Sequence, residues 1–110
     1  MIPDQPQAYS LLELNTALRA AVDKAFPDKY WVCAEVSELH VNAAGHCYLE
    51  LIEKNARGAT VARQRAMIWA PVFRLLKPYF EQETGFAFSA GIKVLVQVSV
   101  AFHELYGMSL

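Results

Sequence analysis

A run of alternating side chains in the region 30–69 constrains the fold more than any other feature of this sequence. Apolar side chains recur there at every second position, which predicts β-strands at Trp31–Leu39, His46–Glu53 and Thr60–Trp69. Short turns rich in small and polar residues separate these segments. The sequence therefore predicts a meander of consecutive antiparallel strands.

The side chains that this alternation leaves outside indicate a function. One face of the second and third strands carries His46, Tyr48, Arg63 and Arg65. Aromatic surface beside positive charge suits a single-stranded nucleic acid, whose bases stack and whose phosphates attract cations. Structural roles are equally open: His46 capping the turn after Gly45, Tyr48 packing under a helix, and the arginines forming ion pairs across the strands.

Helices are predicted on both sides of the meander. Ser10 and Glu13 have the spacing of a capping box and open an amphipathic helix that Pro27 ends. Pro71 is placed as the first residue of a second helix. Pro78 removes a backbone donor and cannot continue that helix without a kink, so we expect the helix to end there and a second short turn, Pro78–Glu83, to follow and to end at Gly85.

A late strand completes the pattern. Residues 93–102 alternate strictly, 103–107 form a predicted hairpin turn, and 108–110 begin a further strand. This order is that of a mainly β protein with flanking helices, a five-stranded OB-fold barrel whose last strand is truncated. The predicted organisation is a leader (1–9), an N-terminal helix (10–27) and an OB-fold nucleic-acid-binding domain (28–110).

The composition limits how such a domain binds. Apolar residues make up 55% and charged residues 19% of the 110 residues, so one compact core is expected. The formal net charge of −1 counts against tight autonomous DNA binding. Cys33 and Cys47 are predicted on opposite faces and hence unpaired, which fits a reducing, cytoplasmic compartment. No signal peptide or membrane-spanning segment is evident.

Motifs for catalysis, metals and cofactors are missing from the sequence. The histidines His40, His46 and His103 lack ligand spacing, and no phosphate loop or nucleophile motif occurs. We expect Trp31 to pack against the N-terminal helix in preference to serving as a base platform, and Trp69 to be structural. Lys93 and His103 flank the late strand, where they edge the binding groove or are ordinary solvated side chains.

Several segments, taken in order, carry a resemblance to a known family. They are 10–15, 30–37, 45–51, 65–69, 91–96 and the pair Tyr106-Gly107. They resemble the N-terminal domain of the large subunit of exodeoxyribonuclease VII, over nearly the whole chain from about Tyr9 onward. The segment 38–42 departs from the family pattern: Glu38 stands for an amide and His40 for a lysine, which weakens anion binding there.

The resemblance implies a fragment of an enzyme that degrades single-stranded DNA to oligonucleotides and works with several copies of a small subunit. Its hydrolytic residues would lie outside this region, so we expect no cleavage by this chain and no cofactor. An incomplete last strand also predicts a homodimer through the open sheet edge. The candidate nucleic-acid-binding residues are His40, Asn42, His46, Tyr48, Arg63, Arg65, Lys93, His103 and Tyr106. The alternative is a protein-interaction or subunit-assembly module with little DNA affinity.

Overall fold

The computed structural model describes residues 8–110, and residues 1–7 of the predicted leader lie outside that range. The described part is mainly β, as predicted. Its elements in chain order are α1 (Leu11–Ala25), β1 (Lys29–Val41), β2 (Cys47–Lys54), β3 (Thr60–Ile68), α2 (Ala70–Thr84), β4 (Lys93–Ser99), β5 (Ala101–His103) and β6 (Gly107–Ser109).

Four strands form an antiparallel sheet in the order β3-β2-β1-β4, so β2 and β1 are its inner strands. Val36 of β1 lies opposite Leu51 of β2, and both are buried. A bulge between Val36 and Glu38 interrupts this pairing. The bulged residue, Ser37, donates its hydroxyl to a carboxylate oxygen of Glu50 at 2.7 Å, so the irregularity is tied to β2.

The predicted late strand is divided in two. β4 ends at Ser99, and β5 resumes after Val100 to pair with β6 in a separate two-stranded sheet. Leu110 then donates its N–H to the Arg65 carbonyl and accepts from the Met67 N–H, both at 3.0 Å. These bonds follow the slanted pattern of a parallel ladder. Within residues 8–110, the only backbone bonds from β3 toward the final strand are these two at Leu110, and the strands form two separate sheets, so the barrel is not closed.

The core lies between one side of the sheet and α2. Val36 and Cys47 are fully buried. Phe73 of α2 is also buried and packs its ring against Phe88, at a centroid distance of 6.0 Å. The buried cluster consists of Val36, Cys47, Leu51, Ala66, Phe73, Phe88 and Val94.

The prediction that the second helix ends at Pro78 is wrong, because α2 runs through it to Thr84. Phe73, Leu76 and Phe80 continue one apolar stripe across the proline and pack on the core cluster. Pro78 is exposed, so the carbonyl that lacks its N–H partner can meet water. The predicted stop at Gly85 is confirmed, since Gly85 adopts φ +74°.

A carboxylate fixes the loop that follows α2. Glu81 accepts a hydrogen bond from the backbone N–H of Phe88 at 2.9 Å and from Lys77 at 3.0 Å. The bond from Phe88 is the main reason that the pKa of Glu81 lies below its ordinary value, with Lys77 adding to the effect. This carboxylate therefore connects the end of α2 to a core residue.

The capping box of α1 is confirmed: Ser10 Oγ accepts from the Glu13 N–H at 3.0 Å, and Glu13 accepts from the Ser10 N–H at 2.9 Å. The predicted packing of Trp31 against this helix is wrong. α1 instead contacts β5 and reaches Glu104 through Asn15 and Arg19, which leaves Trp31 67% exposed. No helix in the described part of the chain is long and apolar enough to cross a membrane.

Candidate nucleic-acid interface

One side of the four-stranded sheet points away from the core, and we call it the outer face. Directly opposite residues in a sheet share a face, so the strand register defines its members. They are Trp31, Cys33, Glu35, Glu38 and His40 on β1, Tyr48, Glu50 and Ile52 on β2, Arg63, Arg65 and Met67 on β3, and Lys93, Leu95 and Gln97 on β4.

Tyr48 is the central aromatic side chain on the β2 part of this face. It lies opposite His40 on β1, and its side chain is 42% exposed to solvent. The Asn42 amide is 3.5 Å from the Tyr48 hydroxyl, which it can donate to. Three predicted site residues therefore lie together at the end of β1 and the start of β2.

Arg65 connects this group to the turn between β5 and β6. Its guanidinium donates to the backbone carbonyl of Tyr106. In that turn the rings of His103 and Tyr106 are stacked, with centroids 4.8 Å apart and planes at 28°. His103 Nδ1 also accepts from the Leu105 N–H at 3.0 Å, which holds the turn. The fold thus brings two sequence-distant candidates, His103 and Tyr106, beside the sheet.

A row of charged residues crosses the middle of the outer face. Lys93 lies opposite Glu35, and Arg63 lies in the same row on β3. Arg63 forms the predicted ion pair with Glu50, at 3.4 Å, and Lys54 pairs with Glu35 at 3.2 Å. Exposed ion pairs of this kind contribute little stability, about 0–1 kcal/mol, so their cations remain available for exchange with a phosphate.

Glu38 opposes anion binding on the same face. Most of the segment 38–42 is strand, because β1 extends to Val41, beyond the predicted end at Leu39. Glu38 is therefore exposed on the sheet, directly opposite Glu50. Like charges facing each other across strands are mutually destabilising, and both carboxylates repel a phosphate backbone. The three carboxylates of the outer face, Glu35, Glu38 and Glu50, equal its three cations in number, so this face has no excess of positive charge.

His46 is engaged away from this group. Its Nδ1 accepts from the Ala70 N–H at 2.9 Å, and its ring meets the Trp69 ring edge-on, with centroids 4.9 Å apart. Trp69 is the N-cap residue of α2, and its side chain makes no capping hydrogen bond. The imidazole therefore supplies the missing acceptor at the start of the helix. The sequence shows no signal for this contact, which joins elements far apart in the chain.

The described residues contain no cluster of three or more potential metal-ligating side chains. Cys33 is exposed and Cys47 is buried, which confirms that the two thiols lie on opposite faces and are unpaired. Burial raises the pKa of the Cys47 thiol, so it behaves as an apolar core group.

The family model of the OB-fold nucleic acid binding domain matches residues 9–110. The chain belongs to this family. It is also 34% identical over 108 residues to the exodeoxyribonuclease 7 large subunit of Deinococcus radiodurans, an alignment that covers 94% of this chain and 26% of that relative. The resemblance to the exodeoxyribonuclease VII large subunit is thus confirmed, and the chain spans about a quarter of the relative's length.

OB-fold domains bind oligonucleotides over their second and third strands and the adjoining loops. In this OB-fold domain those strands are β2 and β3, which carry Tyr48, Arg63 and Arg65, and the turn between β5 and β6 adds Tyr106. The residues that the structure brings together therefore lie on the surface that the fold commonly uses for nucleic acids.

Proposed function

We propose that this OB-fold domain binds single-stranded DNA on its outer face, within a larger exonuclease that degrades single-stranded DNA to oligonucleotides. The observation that supports this most is the grouping of Tyr48, Arg65 and the stacked His103–Tyr106 pair. In this proposal the domain holds the substrate, and residues outside this chain perform the hydrolysis.

Binding would combine two interactions. The exposed ring of Tyr48 stacks on a base, which is worth roughly 1–3 kcal/mol per base in single-strand-binding proteins. Arg63, Arg65 and Lys93 attract the phosphates. Glu38 and Glu50 oppose them, so we expect modest affinity, consistent with the net charge of −1.

We further propose that the whole protein works with the small subunit of exodeoxyribonuclease VII, in the cytoplasm. The similarity to the large subunit and the two free thiols support this.

We also propose that the chain forms a homodimer. The edge of β3 is bonded to the final strand through Leu110, beside an apolar cleft that Val36 and Val94 help to line. The rest of the β3 edge pairs with no other strand of the described residues, and it can accept a strand from a second copy.

Fluorescence anisotropy of a labelled single-stranded oligonucleotide, measured across a salt series, tests the DNA-binding proposal. Contact of about three phosphates with Arg63, Arg65 and Lys93 predicts a slope of about −2 in log affinity against log salt. Duplex DNA of the same sequence should bind more weakly, because its bases are not free to stack.

The double variant Arg63→Ala with Arg65→Ala should lose most of this affinity and flatten the salt slope. Arg74→Ala is the matched control, since Arg74 is an exposed arginine on α2, outside the sheet. Circular dichroism checks that each variant is folded. Absence of single-strand binding by the unaltered chain at low salt contradicts the proposal.

A further inference from the structure

The outer face carries a second exposed aromatic side chain beyond the proposed contact residues. Trp31 lies opposite Gln97, and in the next row Cys33 lies opposite Leu95. Trp31 is 67% exposed and Leu95 is 62% exposed. The indole and the leucine together leave apolar surface in contact with water on this face, where a stacked base can cover it.

Trp31 lies on the same face as Tyr48 but far from it along β1. Tyr48 lies opposite His40, so the two aromatic residues are near opposite ends of β1 on one face. At ~3.3 Å per residue, the length of β1 between Trp31 and His40 is at most about 30 Å, and the bulge at Ser37 shortens it. The row that contains Lys93 and Arg63 crosses the face between them.

We propose that Trp31 is a second base-stacking platform, which extends the path of single-stranded DNA from β2 and β3 across β1 to β4. This inference rests on the function proposed above. The sequence of aromatic ring, cations and aromatic ring along one face is what a single strand requires, because bases and phosphates alternate along it. Leu95 flanks the indole, and Lys93 contacts the phosphates of the DNA between the two platforms.

The path also fits the size of the ligand. OB folds hold about 4–16 nucleotides. A short oligonucleotide of about 4 nucleotides can occupy the Tyr48 end alone, whereas one of about 15 nucleotides can reach both platforms. Trp31 should therefore contribute to the binding of the longer oligonucleotide and not to that of the shorter one.

Tryptophan fluorescence of the whole chain tests this directly. The variant Trp69→Phe leaves Trp31 as the single tryptophan, and titration with a thymidine oligonucleotide of about 15 nucleotides at low salt should quench its emission. The variant Trp31→Phe reports Trp69 alone and should show little change. Trp31→Ala should weaken binding of the long oligonucleotide by about 5- to 150-fold, which corresponds to ~1–3 kcal/mol for one stacked base.

Tyr79→Ala is the matched control, because Tyr79 is an exposed aromatic residue on α2. If the unaltered chain binds and loses affinity on Arg63→Ala with Arg65→Ala, but Trp31 emission and the Trp31→Ala affinity are unchanged, the second platform is wrong and the proposed function stands. If no oligonucleotide binds, both fail. If Trp31→Ala instead turns a dimer into a monomer in light scattering, with DNA affinity unaltered, the patch is a self-association surface and this inference is overturned.

Discussion

Neutralising Glu38 should strengthen DNA binding, which is an unusual direction for a point mutation. The Glu38 carboxylate is exposed on the outer face, opposite Glu50, and it repels any phosphate that Arg65 attracts. A phosphate about 7 Å from this carboxylate at an effective dielectric constant of about 40–80 is repelled by ~0.6–1.2 kcal/mol. Glu38→Gln should therefore tighten binding about threefold to eightfold.

Anisotropy with a single-stranded oligonucleotide at low salt measures this change. Glu83→Gln is the control, because it alters the net charge equally at an exposed position on α2. The gain should shrink as salt rises, since the Debye length falls to ~8–10 Å at physiological ionic strength. Equal affinities for Glu38→Gln and Glu83→Gln at low salt would refute the placement of the phosphates on this face.

Three other changes test the structure around the interface. His46→Ala should lower the free energy of unfolding by about 0.5–2 kcal/mol, because it removes the acceptor of the Ala70 N–H at the start of α2. His40→Ala should change the free energy of unfolding by no more than about 0.5 kcal/mol, and urea denaturation measures both values. The pKa of Glu81 in the folded protein lies below its ordinary value of 4.5, so its contribution to stability is complete above that value and is lost as the pH falls through the lower folded pKa. Glu81→Gln should therefore make the melting temperature less sensitive to acid below about pH 5. A maleimide should modify Cys33 rapidly and Cys47 only after unfolding, and equal rates in the folded protein would contradict the assigned faces.

Local chemistry made much of the fold predictable. The Ser10–Glu13 capping box lies within one turn, and the strand alternation identifies Val36 and Leu51 as core residues without knowledge of the tertiary structure. Pro78 misled the prediction because the helix-breaking rule is local. The apolar stripe that continues on both sides of the proline is stabilised by packing on the sheet, which outweighs the lost hydrogen bond.

The site was predictable only in part. Alternation places Tyr48, Arg63 and Arg65 on one face, and the structure keeps them there. Whether a face is covered is a tertiary property, however, and the sequence cannot show that α1 packs on β5 and leaves Trp31 exposed. The contact between His46 and the Ala70 N–H is equally non-local, so a residue with the right chemistry for stacking proved to be engaged elsewhere.

Mapping the bound oligonucleotide by nuclear magnetic resonance is the most direct test of the central claim. On titration with unlabelled single-stranded DNA, the account predicts the largest shift changes at the Tyr48 ring and the Arg65 side chain, with little change at Leu75 on the exposed side of α2. Shift changes that are confined to α2, or absent from the outer face at saturating oligonucleotide, would contradict the account.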